Sequence, residues 1–471
     1  MSGLCIETKR RWVSVWIFAV VIMVNTPRDS FAHGGLGHIQ VTAWAVENLP
    51  QGDLREFLAQ PDIFDAILFG AAYPDIGYYP GLQSPELHRT YGEYSHWTPF
   101  ISQFVSWIKA NDPPPWTSLE SRKRVAFLLG CATHGFQDEV FDSLFLPKVA
   151  YHDQEGQDAV DAGTDGLLVR DGHLGLIPSV RAPVDTLVEL YNEAGLFDEE
   201  MRSDQLVDAV NTMGSLYVDE GAGPALAEFM ISRYEDVLLW TAANYMEPSV
   251  AGSLHSEIFP TSRLIEAIWN ELGGVASASL IVGEYPGNGW RLRSPFAANP
   301  GSWVTFLFST GVDLTDLEVN WVHSSGEEVT FTLNGTAWGG DWPRVLRVMP
   351  AEDLIAGEFY SIELRGEVDV VSGGKASLER LLEFQVECEQ LDDSRCANGE
   401  APRVARIDGA ETFREGWDSS GERISPHPEE EGCGGCEGAG SDIWWGLLLL
   451  VFLARWYRTR RPGESWFLSE G

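Results

Sequence analysis

Between residues 33 and 273 the apolar positions recur every three or four residues; from about 279 to 386 they alternate with polar ones. The first pattern predicts amphipathic helices, clearest over 103–110, 119–129, 184–193, 203–218, 226–243 and 262–272. Thr117-Ser118 is a start signal for one of these runs and Pro260-Thr261-Ser262 for another. The second pattern predicts short strands at 303–308, 317–322, 329–333, 345–348 and 360–364, separated by Gly, Asn and Pro. The expected order is therefore an all-α region followed by a β-sandwich. No internal repeat is present.

Both ends depart from these periods. Lys9, Arg10 and Arg11 precede an apolar run over 12–24, and Ser30-Phe31-Ala32 has the form of a cleavage site. Residues 1–32 thus read as a secretory signal peptide, with a retained anchor as the alternative, because 25–30 is unusually polar. Residues 388–432 are rich in Asp, Glu, Gly and Pro and read as an acidic linker. Beyond it come Cys433-Gly-Gly-Cys436, an apolar stretch over 443–453, and Arg455, Arg458, Arg460 and Arg461. The stretch is short for a stable span, and arginines after it suit a cytoplasmic C-terminus. This order at 433–471 resembles the MYXO-CTERM class of bacterial sorting tails. The resemblance implies a tail held in the membrane before processing, and export to the cell surface or outer membrane, or secretion. A plain tail anchor is the alternative.

The 471 residues carry 70 Asp and Glu against 32 Lys and Arg, a net charge of −38. With 44% hydrophobic residues this is a folded acidic protein and not a disordered one. The charge disfavours nucleic acid and anionic membranes as partners and favours oxygen ligation of cations. In an exported chain Cys388 and Cys396 suggest a local disulfide. Cys131, inside an apolar run, reads as a buried structural thiol.

Candidate chemistry gathers in the helical region, which holds seven of the ten histidines at or before position 173. On a helix, His134, Asp138 and Asp142 share one face, and an imidazole and a carboxylate one turn apart can hold a single zinc ion. The spacing alone is more commonly that of a capped or salt-bridged surface face. However, Val125-Ala-Phe-Leu-Leu-Gly-Cys-Ala-Thr133 before it is apolar enough to be buried. An unpaired imidazole and carboxylate are costly there, and a metal removes the cost.

The strings Gly37-His38-Ile39, Ala72-Tyr-Pro-Asp75, Glu86-Leu-His88, Ser95-His-Trp-Thr-Pro-Phe100, Pro115-Trp116, Val125-Ala-Phe-Leu-Leu-Gly130 and Thr133-His134 with Asp138 occur in that order. They resemble the zinc-dependent phospholipase C superfamily, most closely the catalytic domain of glycosylphosphatidylinositol-specific phospholipase D. The likeness covers 35–166 and continues to 273 only as a helical pattern. It implies an all-α phospholipase C and zinc nuclease-like catalytic domain at 33–273. It also implies that Asp75, His96, His134 and Asp138 bind a first zinc, and that His38 binds a second, bridged through Asp138. In bacterial members the mature N-terminus completes the second ion. Here the predicted terminus is His33, five residues before His38, and both a ligand and an ordinary chain end remain open for it.

At the third metal the chain departs from its relatives. Asp142 stands where the GPI-specific relative has His, and Gln157 and Asp161 align with its downstream His and carboxylate. His152 is a possible substitute. An oxygen-rich third site favours calcium over zinc, or stays empty, and a solvated acidic loop is the alternative. The implied mechanism is metal-activated water attacking a phosphodiester, with Asp75 orienting or deprotonating that water. His88 falls in a similar string and suits a supporting or substrate-contacting role.

Residues 279–387 resemble bacterial Ig-like domains through Pro350-Ala-Glu-Asp-Leu354 and Gly357-Glu-Phe-Tyr360, implying a spacer or binding accessory. The expectation is an exported zinc phosphodiesterase acting on phospholipid or glycolipid head groups at a zwitterionic membrane surface. The alternatives are a single-strand-specific zinc nuclease and a non-catalytic metal-binding surface protein.

Overall fold

The computed structural model describes residues 34–387, except 79–81, 83, 174–177, 180, 218–231, 235, 276–278, 337–341 and 372. The predicted leader with His33, the Cys388–Cys396 pair, the linker and the tail lie outside the described residues. Among the described residues no helix is long and apolar enough to cross a membrane.

The chain is helical first: α1 (Gly35–Glu47), α2 (Asp53–Leu58), α3 (Pro61–Ala72), a 3-10 turn (Tyr73–Tyr78), α4 (Pro85–His96), α5 (Thr98–Asn111) and α6 (Leu119–Val140). A π-helical turn (Phe141–Phe145) leads into α7 (Leu146–His152) and α8 (Gln157–Arg170). Then come α9 (Val184–Ala194), α10 (Ser203–Tyr217), α11 (Leu239–Asn244) and α12 (Ile258–Leu272). Ser118 caps α6, its hydroxyl accepting from the Ser121 amide at 3.0 Å. Pro61 and Pro85 occupy first-turn positions of α3 and α4, where the missing N–H costs nothing.

Helix α6 is the centre of the region, and every residue from Val125 to Val140 on it is buried. Its partner α3 crosses it at paired glycines. A Cβ on Gly70 would lie 2.3 Å from the Phe127 carbonyl oxygen, and one on Gly130 would lie 2.1 Å from that of Ile67. This close approach brings the C-terminal carbonyls of α3 against the middle of α6.

The β region comprises β1 (Ile281–Tyr285), β2 (Trp290–Leu292), β3 (Val304–Phe308), β4 (Glu318–His323), β5 (Phe331–Thr336), β6 (Val345–Pro350), β7 (Phe359–Asp369) and β8 (Lys375–Val386). They form two four-stranded sheets, ordered β1-β3-β6-β5 and β2-β8-β7-β4. Phe306, Leu346 and Val348 of the first sheet share one core with Trp321, Ile362, Leu382 and Phe384 of the second. The other face of the first sheet is not solvated: Val282, Leu307 and Val345 belong to the helical core. That double burial explains why β3 is buried at every position, where simple alternation would expose half of it. The β region is thus packed directly on the helices and is not held off them as a spacer.

Candidate metal centre

Four elements deliver one cluster. His38 comes from the first turns of α1, Asp75 from the 3-10 turn, His96 from the last residue of α4, and His134 with Asp138 from consecutive turns of α6. All five are at most 5% exposed, deep enough that an unmatched polar atom is expensive. The 3-10 turn continues directly from α3, so the crossing that fixes α3 on α6 also brings Asp75 to His134. The end of α4 is seated just as tightly. A Cβ on Gly135 would stand 1.6 Å from the His96 carbonyl oxygen, so only glycine fits beside His134.

The three rings are oriented alike. Nδ1 of His134 lies 2.6 Å from the Ala71 carbonyl, Nδ1 of His96 lies 2.8 Å from the Gly92 carbonyl, and Nδ1 of His38 lies 2.9 Å from Oε1 of Gln137. A carbonyl oxygen only accepts, so each Nδ1 carries a proton and each Nε2 presents its lone pair inward when the ring is neutral. What those lone pairs meet are carboxylates. His134 Nε2 is 3.3 Å from Asp138 Oδ2 and 3.6 Å from Asp75 Oδ1. His96 Nε2 is 3.4 Å from Asp75 Oδ1 and 3.7 Å from Asp138 Oδ2. His38 Nε2 faces the other oxygen of Asp138 at 3.1 Å.

Lone pairs opposed to lone pairs require a cation or an added proton between them. Without a metal, the proton goes to His134: burial pulls its pKa down, but Asp138 and Asp75 outweigh burial and raise it to about 10. Burial opposes ionisation of Asp75, yet the His134 and His96 rings bring it to about 2; Asp138 is likewise held well below the usual range by His134 and His38. Burial, reinforced by His134, lowers His38. Even so, His134 Nε2 and Asp138 Oδ1 are buried and make no hydrogen bond.

The donor spacing fits zinc. Ligands at 2.0–2.2 Å in a tetrahedron stand about 3.3–3.6 Å from one another, and two imidazoles with two carboxylates are a normal zinc set. The four imidazole–carboxylate distances between His96 or His134 and Asp75 or Asp138 span 3.3–3.7 Å, and His96, His134 and Asp138 form one triad whose ligand atoms are mutually close enough for one ion. His38, Asp75 and His134 form a second triad whose ligand atoms are mutually close enough for one ion.

Among the described residues, none of the remaining predicted ones belongs to these triads. Asp142 lies in the π-helical turn that follows α6, where the charge of Asp138 acts on it. Both oxygens of Asp142 accept from Gln157 Nε2 at 3.2 Å. Burial, then Asp138, pushes Asp142 up to about 8 despite that bond. Asp161 on α8 is buried with one oxygen unpartnered, and burial with Asp142 raises its pKa well above the usual range. His152 stacks on Trp240 at 4.6 Å, and the charges that act on it come from Asp153 and Lys148. His88 is buried on α4, where burial lowers its pKa against the opposing pull of Asp208.

Several residues near the centre were not singled out by spacing. Asp165 on α8 accepts from the amides of Leu36 and Gly37 at 3.3 and 2.9 Å, anchoring the first turn of α1 beside His38. Glu257 is fully buried, and burial with Asp138 and Asp142 drives its pKa well up. Gln137, Thr42 and Thr133 are buried polar groups behind His38. The signal for the last three was polarity inside otherwise apolar helical runs.

Residues 37–141 match the family model for zinc dependent phospholipase C. Phosphatidylinositol-glycan-specific phospholipase D of Homo sapiens is 33% identical over 122 residues, 26% of this chain and 14% of that protein. The protein of the same name from Rattus norvegicus is 35% identical over 134 residues, 28% of this chain and 15% of that one. The chain therefore spans about a seventh of the length of these relatives. Among solved structures, CopC from Methylosinus trichosporium OB3b is matched over 24% of this chain and 96% of that one, at 21% identity and a TM-score of 0.19, too low to assign a fold. The matched segment contains all five residues of the cluster, so the likeness to zinc dependent phospholipase C includes the candidate metal centre.

Proposed function

We propose that the chain is an exported, metal-dependent phosphodiesterase that cleaves phospholipid or glycosylated-lipid head groups at the outer surface of a bacterial cell. One observation carries the reading. Three imidazole Nε2 atoms and the carboxylates of Asp75 and Asp138 converge, buried and incompletely hydrogen-bonded, at zinc-like spacing inside the segment related to phospholipase C.

His96, His134, Asp75 and Asp138 would hold one zinc; His38 with the second oxygen of Asp138 would hold another, making Asp138 a bridge. Bound zinc supplies Lewis acidity toward a phosphoryl oxygen and toward water. The chain's residues supply the rest. The Ala71 and Gly92 carbonyls and Gln137 fix the three rings, so the site is assembled before substrate arrives. Asp75, already ionised, can accept a hydrogen bond from the attacking water and orient it. Asp142 and Asp161 with Gln157 supply only oxygen donors for any third ion, a set that favours calcium over zinc. The acidic surface suits a zwitterionic membrane better than an anionic one.

The test is metal content and hydrolysis by the purified protein, before and after chelation. The substrates are a choline phospholipid, a GPI-anchored protein and single-stranded DNA. Lipid cleavage that chelation abolishes and zinc restores is expected, with His134→Ala and Asp138→Ala losing metal and activity together. Bound zinc without turnover of any substrate would indicate a metal-binding surface protein, and cleavage of DNA alone would indicate a nuclease. Full metal content in both variants would refute the assigned ligands.

A further inference from the structure

Behind His38 a chain of four side chains runs away from the metal centre and ends on the backbone of α6. His38 Nδ1 is 2.9 Å from Gln137 Oε1, Gln137 Nε2 is 3.1 Å from Thr42 Oγ1, Thr42 Oγ1 is 2.8 Å from Thr133 Oγ1, and Thr133 Oγ1 is 2.7 Å from the Gly130 carbonyl oxygen. Each of the four residues is at most 1% exposed, so water does not compete for these groups.

The chain can be polarised in only one direction. The Gly130 carbonyl has no proton to give, so the single hydroxyl proton of Thr133 is committed to it. Thr133 must then accept from Thr42, which commits the single proton of Thr42. Thr42 must in turn accept, and the group beside it that can donate is the amide nitrogen of Gln137. That orientation turns Oε1 of Gln137 toward His38, and an amide oxygen accepts only from a protonated Nδ1. A backbone carbonyl thus dictates, through three side chains, which nitrogen of His38 is left with a lone pair.

We infer that Gln137, Thr42 and Thr133 form a positioning relay that locks His38 with its proton on Nδ1 and Nε2 aimed at Asp138, and so set the affinity of the second metal position. The inference rests on the metal centre proposed above. The other two histidines reach the same state through single backbone carbonyls, Ala71 and Gly92. His38 Nδ1 faces a side-chain oxygen, Gln137 Oε1, so its ligation can be altered by substitution without moving the backbone.

The experiment uses the full chain and two readouts that do not involve turnover. Nitrogen chemical shifts of the imidazoles, at a pH where the rings are neutral, report which nitrogen of His38 is protonated. Zinc titration of metal-stripped protein reports the affinity of each position. Wild type should show the Nδ1-protonated form. Gln137→Leu, which removes the acceptor, should weaken the weaker zinc position about 10–100-fold, the usual effect of losing a partner behind a metal-bound histidine. The stronger position should keep its affinity. Gln137→Glu keeps an acceptor facing Nδ1 and should restore tight binding. Thr42→Val is nearly isosteric and should mix the two His38 forms. Proton on Nε2 of wild-type His38 in a protein that still takes up zinc would overturn the relay and leave the metal centre standing. Equal zinc affinities in wild type and a folded Gln137→Leu would do the same. A wild type that takes up no zinc would overturn both.

Discussion

Glu139 follows the ligand Asp138 directly, and its carboxylate is paired with Arg344 from the β region. The Arg344 Nε to Glu139 Oε2 distance is 2.9 Å, and each side chain is only 2% exposed. The guanidinium lies 5.7 Å over the Phe136 ring, and its Nη2 is buried without a hydrogen-bond partner. At this separation and an effective dielectric near 20, the attraction is about 6 kcal/mol. Most of that is offset by desolvating two ions, so the intact pair contributes little net stability. Breaking it is a different matter. Arg344→Met leaves a carboxylate in a dry junction and should cost about 3–5 kcal/mol, or roughly 3–5 °C in melting temperature for a chain of this size. Burial already pushes the Glu139 pKa up against the pull of Arg344, and removing Arg344 raises it further. Glu139 then takes up a proton at moderately low pH, so the loss should be larger at pH 8 than at pH 5. Arg344→Met/Glu139→Leu replaces both ions with apolar groups and should recover most of the stability. The assays are thermal melts monitored by circular dichroism at both pH values, with zinc content measured alongside. Zinc content should fall in the single variant and return in the double, because Asp138 rides on the same turn. A single-variant cost below about 1 kcal/mol at pH 8, or a double variant worse than the single, would refute the reasoning.

Gly135→Ala should displace the end of α4 from α6, since its Cβ would meet the His96 carbonyl. The expected cost is about 3 kcal/mol or more, with loss of bound zinc; near-wild-type zinc content would contradict the packing. Lys148 is buried, donates to the Leu144 and Ala251 carbonyls at 2.6 and 3.1 Å, and is lowered to about 7 by burial and then by Arg293 and Arg347. Its charged form is disfavoured in the folded state. Between pH 7 and about 10.5 the unfolded chain binds more protons, and this residue makes stability rise with pH. Lys148→Met should flatten that part of the wild-type stability profile, a difference of up to a few kcal/mol read by denaturant unfolding at pH 7 and pH 9.5. Identical slopes would rule the assignment out.

The helical half of the fold is legible because its period is clean. The segments predicted at 119–129 and 184–193 appear inside α6 and α9, and the strands predicted at 303–308 and 345–348 appear as β3 and β6. β8 is the instructive failure. Lys375–Val386 is the longest strand, yet Leu378, Leu381 and Leu382 follow a spacing closer to a helix than to alternation. Its identity as a strand comes from pairing with β7 along 11 consecutive residues, a tertiary fact that no local window contains. The same distinction governs the metal centre. His134 and Asp138 were readable as a pair because the i, i+4 relation is internal to one helix. Asp142 falls just past that helix, in the π turn that begins at Phe141, where the i, i+4 rule no longer describes the geometry. Asp75, His96 and His38 were found through their similarity to a family, since nothing in their own spacing points to a shared ion.

What the sequence pattern did contain, and spacing arguments passed over, is the polarity of α6 itself. A helix buried at every position from Val125 to Val140 has no solvent-facing side on which to place polar residues, yet it carries Thr133, His134, Gln137, Asp138 and Glu139. Each must therefore be matched from another element, and the structure supplies a match for all but one. Thr42 of α1 serves Thr133 and Gln137, the Ala71 carbonyl of α3 serves His134, and Arg344 of the β region serves Glu139. Asp138 alone faces only imidazoles, with one oxygen left without a hydrogen bond. His134, matched at Nδ1, keeps its Nε2 without a hydrogen bond beside that oxygen, while Thr133, Gln137 and Glu139 are matched: the shortfall is concentrated where a divalent cation would be held.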